Sequence, residues 1–127
     1  MDGREGARQV VLAWHDAVNA GAVDRVVALS CADIEVGGPR GSGRGVQLLE
    51  EWLGRSGIRL RPIRMIERGG RVIVEQDAAW PGDEQVHRVA SVFRVQGSQI
   101  ASVMRYPDLP TALTEAGLDA TGEASAR

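Results

Sequence analysis

Apolar positions change their period partway along the chain, from a helical repeat to a strand repeat. From Glu5 to Asn19, Val10, Trp14, Ala17 and Val18 share one helical face, and Asn19-Ala20-Gly21 supplies a stop. Between Ala22 and Ser30, Val23, Val26 and Val27 keep that spacing, so a short second helix is predicted to pair antiparallel with the first. Ala32 to Val36 alternates Asp33 and Glu35 with Ile34 and Val36, as a strand with one wet face requires, and runs out in Gly37-Gly38-Pro39. GPRGSGRG is read as a flexible loop. After it, Val46, Leu49 and Leu53 mark a third helix with Trp52 beside them, ending at Gly54 or Gly57.

From there the period is two. Ile58 to Arg68 and Arg71 to Trp80 form a hairpin across Gly69-Gly70, a pair suited to the positive φ of a tight turn. Pro62 cannot donate to a ladder and the alternation changes phase beside it, which predicts an edge position or a bulge. Past the loop at Pro81-Gly82-Asp83-Glu84, a second hairpin joins Val86 to Val95 with Ile100 to Tyr106 across Gln96-Gly97-Ser98-Gln99. Asp108-Leu109-Pro110 opens a last helix, Thr111 to Ala116, stopped by Gly117. Helices first and an antiparallel meander last is an α+β pattern. Residues 1–118 are expected to form one domain, and 119–127 a flexible tail.

Composition narrows the chemistry. At 127 residues the chain can bury a core or enclose a modest pocket, and a net charge of −2 gives no general attraction to polyanions. No apolar run approaches the ~20 residues of a membrane helix and the amino terminus lacks a signal-peptide core, so a cytoplasmic location is expected. Cys31 is the sole cysteine, and it is expected to act as a small buried hydrophobe. All 15 basic residues are arginine, which excludes a lysine Schiff base, pyridoxal phosphate chemistry and the lysine-bearing phosphate loop. His15 and His87 lack metal-ligand spacing, and no metal or other cofactor is expected. Arginines 55, 59, 61, 64, 68 and 71 cluster with only Glu67 as an acidic neighbour. They alternate as the wet side of an edge strand would, without interleaved aromatics, and nucleic acid is not an expected partner.

Three segments in this order, AWHDAVNAGAVDRVVAL, ADIEVGGPRGSGRG and FRVQGSQIASVMRYPDL, resemble the NTF2-like superfamily of ketosteroid isomerases, SnoaL-type cyclases and limonene epoxide hydrolases. The resemblance covers about Val10 to Leu118. It implies a cone in which about three N-terminal helices pack on a curved sheet around an apolar cavity, with a short C-terminal helix. It also implies a homodimer paired back to back through the sheet and a small apolar or amphipathic ligand. Matched to the isomerase motifs, Trp14 stands at the oxyanion tyrosine, Gly38 at the basic aspartate and Ser91 at the protonated aspartate. Glycine cannot take a proton, and indole and hydroxyl are poorer oxyanion donors than phenol and acid. Loss of the base alone removes on the order of 10²–10⁴ in rate, so ketosteroid isomerisation is not expected.

With Ser91 as the inward marker, parity puts His87, Val89, Phe93 and Val95 on the inner face, with Arg88 and Arg94 outside. The same rule turns Val72, Val74, Gln76, Ala78 and Trp80 inward, and Arg71, Glu75 and Asp77 outward. In the last strand Met104 and Tyr106 compete with Val103 and Arg105 for the inner face. The expected ligand wall is therefore Trp14, Gly38, Trp52, Val74, Gln76, Trp80, Val89, Ser91, Phe93 and Val103, although core packing is the favoured reading of the tryptophans, less so for Trp80 near the cone mouth. The cyclases carry an aspartate acid/base near the chain end, and the nearest match is Asp108, which could instead cap the last helix. His87 is either an acid/base or a hydrogen-bonded structural residue, and Arg105 would assist either acid. An epoxide-hydrolase triad of Asp77, Arg105 and Asp108 fails on parity. The expectation is a binding protein of unassigned activity, with a cyclase, isomerase or hydratase using Asp108 or His87 as the alternative.

Overall fold

The structure, a computed structural model, describes residues 3–38 and 41–118, with side chains described from residue 6 onward. In chain order the elements are α1 (Gly3–Asn19), α2 (Val23–Ala28), β1 (Ser30–Gly38), β2 (Gly41–Arg44) and α3 (Val46–Ser56), then β3 (Arg59–Arg68), β4 (Arg71–Ala79), β5 (His87–Gln96), β6 (Gln99–Tyr106) and α4 (Leu109–Glu115). The proposed tail, 119–127, lies outside the described residues, as do Pro39 and Arg40 of the expected Gly-Pro turn. No helix among the described residues is long and apolar enough to cross a membrane.

The six strands form one mixed sheet in the order β2-β1-β6-β5-β4-β3. β3 to β6 is the expected antiparallel meander, and β1 joins it by parallel pairing to β6, Val36 opposite Val103 and Gly37 opposite Met104. Pro62 lies on an edge strand and also at a shift in register, between Pro62 and Arg64. One reading is corrected. The GSGR part of the supposed flexible loop is β2, paired antiparallel to β1 with Ser42 opposite Gly37 and Gly41 opposite Gly38. The second helix also stops at Ala28, earlier than expected, because Ser30 already opens β1.

Helix α1 buries Ala7, Val11, Trp14 and Val18, an i, i+4, i+7, i+11 stripe, against the inner face of the sheet. It ends in a Schellman arrangement: Gly21 N–H donates to Val18 O, Ala22 N–H donates to Ala17 O, and Gly21 adopts φ 68°. Asn19 then treats β3 as a partner strand, its amide donating to Leu60 O and accepting from Leu60 N–H, each at 2.7 Å. These two bonds cap an otherwise open ladder edge and fix the tilt of α1 across the sheet.

The sheet packs on both faces. The inner face carries Val72, Val74, Ala78, Phe93, Ile100 and Val103 against α1, α2 and α3. On the outer face, α4 lays Leu109, Ala112 and Leu113 on Ile73 and Ala90, with Val92 and Tyr106 alongside. This answers the open phase of the last strand: Tyr106 belongs to the outer layer, while Val103 and Arg105 face inward.

Candidate functional site

A cavity of about 910 Å³ lies between the inner face, α1 and α3. Its apolar wall comes from Trp14 on α1, Val36 on β1, Leu48, Leu49 and Trp52 on α3, Ile58 and Leu60 around the start of β3, and Val103 on β6. Gly37, Gly38, Gly41 and Gly43 supply a side-chain-free stretch on β1 and β2. Polar atoms enter from Ser42, Arg55, Ser91 and Arg105. Within the described lining the ionisable side chains are these two guanidiniums, which donate hydrogen bonds and accept none.

Trp14 is fully buried, and its Nε1–H has no hydrogen-bond partner in the protein. Its ring meets Phe93 edge-on at 5.3 Å and His15 at 5.8 Å. Behind the wall runs a buried polar chain. His15 Nδ1 lies 2.7 Å from Val11 O, His15 Nε2 lies 2.8 Å from Gln76 Nε2, and the Ser91 hydroxyl donates to Gln76 Oε1 at 2.8 Å. A carbonyl only accepts, so Nδ1 of His15 carries the proton. Burial pushes the His15 pKa below its ordinary value of 6.5, against smaller opposing effects from the Val11 carbonyl and Asp16. The neutral ring is therefore an acceptor at Nε2, which turns the Gln76 amide nitrogen toward it and the Gln76 oxygen toward Ser91.

Of the expected ligand wall, Trp14, Gly38, Trp52, Trp80, Ser91 and Val103 do line this cavity. Val74, Gln76 and Phe93 face inward by the expected parity but are fully buried behind the cavity wall, outside its lining. Helix α1 sits directly on the middle of β4 and β5 and fills that part of the cone. Val89 lines a smaller neighbouring cavity of about 330 Å³, shared with Trp80, His87, Arg105 and Tyr106. The two cavities adjoin at Trp80 and Arg105, where the guanidinium carbon stands 5.5 Å from the indole centroid.

The structure does not bring the two expected acids together at the main cavity. His87 is exposed at the start of β5, its Nε2 2.9 Å from Asp83 Oδ2, and its ring meets Trp80 edge-on at 5.7 Å. Asp83 is held below the usual carboxylate range first by the Gln85 backbone N–H and then by His87. Asp108 is exposed outside both linings and caps α4, its Oδ1 accepting from Thr111 N–H at 2.8 Å. Those bonds to Thr111 lower its pKa. Asp77 binds Arg88 on the outer face at 2.6 Å, as parity required. Among the described residues, no three histidine, cysteine or carboxylate side chains cluster closely enough to hold a metal ion.

The sequence missed the contribution of β2 and part of that of α3: Ser42 and Leu48 were not on the expected wall, and Arg55 was read only as one of a cluster of surface arginines. The available signal was Leu48 itself, which lies next to the Leu49 face. Its terminal methyl stands 2.5 Å from where a Cβ on Gly43 would sit, so Gly43 is the residue that lets α3 close on β2.

A family model described as a SnoaL-like domain matches residues 11–103. No curated protein matches the chain in sequence. Among solved structures, an LEH-like epoxide hydrolase of M. tuberculosis superposes with a TM-score of 0.74 at 22% identity, covering 91% of this chain and 97% of that one. A candidate polyketide cyclase from Xanthomonas campestris pv. campestris gives 0.73 at 25% identity, covering 85% and 94%. TerC, co-crystallised with polyporic acid, gives 0.73 at 18% identity, covering 81% and 92%. These likenesses carry the α+β, NTF2-like fold.

Proposed function

The chain belongs to the SnoaL-like domain family, and on that footing we propose that it binds a small, mainly apolar molecule in the main cavity without performing ketosteroid isomerisation. One observation carries the reading: a space of about 910 Å³ with an aromatic and aliphatic wall, whose ionisable groups among the described residues are Arg55 and Arg105. Gly38 and Ser91, which stand at the isomerase's two acids by resemblance, both border that space and neither is an acid. The arginines suit an amphipathic ligand with an anionic or acceptor-rich end. The co-crystal of TerC with polyporic acid supports ligand binding within this fold.

Calorimetric titration with naphthalene-2-sulfonate tests the reading. One saturable site per chain is expected, weakened by Arg105→Leu and by Val103→Trp, which sets an indole into the cavity. Absence of saturable binding, or binding indifferent to Val103→Trp, overturns it.

A second reading, acid/base turnover of cyclase, isomerase or hydratase type, has one observation in its favour. His87, which meets Asp83 and Trp80, lines the smaller cavity together with Arg105. In that reading His87 is the proton carrier and Arg105 the electrostatic partner, with Asp108 as the other candidate acid. Turnover that survives replacement of both His87 and Asp108 by alanine excludes it. Pairing of two copies through the sheet would use the outer surface left beside α4, where Glu75, Asp77 and Arg88 form ion pairs. Light scattering at high micromolar concentration is expected to give a dimer mass, and a monomer mass excludes that pairing.

A further inference from the structure

The polarity of the chain behind the cavity can be followed atom by atom from one fixed point. The Val11 carbonyl accepts from His15 Nδ1–H at 2.7 Å. The Gln76 amide therefore donates to His15 Nε2 at 2.8 Å, and its oxygen faces Ser91. A serine hydroxyl has a single proton. That proton is spent on Gln76 Oε1, so what Ser91 offers the cavity is lone pairs alone. All three side chains are at least 97% buried, and β4 and β5 hold Gln76 and Ser91 as diagonal neighbours, with Val74 opposite Ser91 and Val89 opposite Gln76. No rotation of the hydroxyl restores a donor to the cavity without leaving Gln76 Oε1 unpaired.

We infer that Ser91 is an obligate hydrogen-bond acceptor toward the cavity and that it selects apolar ligands carrying a hydroxyl donor. This rests on the ligand-binding reading above and adds the ligand's chemical class. It also inverts the resemblance: where the isomerase places a protonated acid that donates, this chain places an oxygen that accepts. His15 and Gln76 are positioning residues, acting through the Ser91 hydroxyl.

The test compares 2-naphthol with 2-methoxynaphthalene by calorimetry on the wild-type chain. Methylation adds apolar surface, so transfer alone favours the ether. The structure predicts the opposite order, with the naphthol about fivefold or more tighter, because the ether sets its oxygen against that of Ser91. In Ser91→Ala and in Gln76→Met, which frees the hydroxyl to rotate, the ratio is expected to fall to within about twofold. An ether that binds as well as the naphthol overturns the inference while leaving the cavity reading intact. A ratio unchanged in Gln76→Met removes the positioning role. Failure of every probe to bind overturns both readings.

Discussion

Gly37 and Gly38 are neighbours on β1, both border the cavity and neither has a positive φ, yet the structure gives them opposite tolerance for a side chain. A Cβ on Gly37 would stand 2.7 Å from Ser42 Cβ, 2.7 Å from Met104 Cε and 3.1 Å from Gly41 O. Met104 can swing away. Ser42 cannot, because it lies directly opposite in the β1–β2 ladder, where Cβ atoms ordinarily stand about 4.5–5.5 Å apart. Overpacking of this kind costs about 1–3 kcal/mol. On Gly38 the nearest atoms, all of Arg105, are 3.8 Å away, an ordinary contact. There alanine restricts the unfolded chain and is expected to stabilise by about 0.4–1 kcal/mol. Both substitutions restrict the unfolded chain alike, so urea unfolding of Gly37→Ala and Gly38→Ala should differ by the overpacking cost, about 1–3 kcal/mol, at unchanged m-value. Equal stabilities, or Gly38→Ala the weaker, would refute the placement of β2 against β1. The same room admits Gly38→Asp, whose carboxylate would face Arg105 inside the cavity.

Four further outcomes follow from particular contacts. Burial holds His15 below its ordinary value of 6.5, so the unfolded chain takes up that proton first. Stability is thus full above that pH and is lost as pH falls toward the folded-state value, by at most about 1.4 kcal/mol per unit, a slope that His15→Gln should flatten in urea titrations between pH 7 and 5. Asp83 and Asp108 are depressed carboxylates, so what they contribute is present above their ordinary value of 3.8 and disappears only in stronger acid, as pH falls through their folded values. Phe93→Ala, at a fully buried ring 5.3 Å from Trp14, should cost about 3–5 kcal/mol in urea unfolding. Asp108→Ala should lower the melting temperature through the lost α4 cap while leaving naphthalene-2-sulfonate affinity unchanged.

What the sequence disclosed depended on how local each signal was. The Gly69-Gly70 hairpin and the inward parity of β4 and β5 are set by nearest neighbours and match the structure, whereas of the expected α1 face Trp14, Ala17 and Val18 are buried but Val10 is half-buried and Val11 takes the core position. β2 was hidden because Gly41-Ser42-Gly43-Arg44 has little strand propensity of its own and is a strand only through its register with β1. The last strand resisted phasing because both its faces are covered: Val103 packs against the inner helices and Tyr106 lies in the layer under α4. Parity correctly turned Gln76 and Phe93 inward, but it could not separate cavity wall from packed core, since that depends on how close α1 comes to the sheet. His87 kept the inner phase at a strand end already beyond the helices, where inward no longer means enclosed. The His15–Gln76–Ser91 chain joins residues 61 and 15 positions apart, and no spacing in the sequence announces it.

The most direct measurement is a crystal structure of the chain grown with naphthalene-2-sulfonate. Ring density is expected in the main cavity against Trp14, Trp52 and Val103, with the sulfonate directed to Arg105. Density confined to the smaller cavity or the outer sheet face, with the main cavity closed by its own side chains, would contradict it.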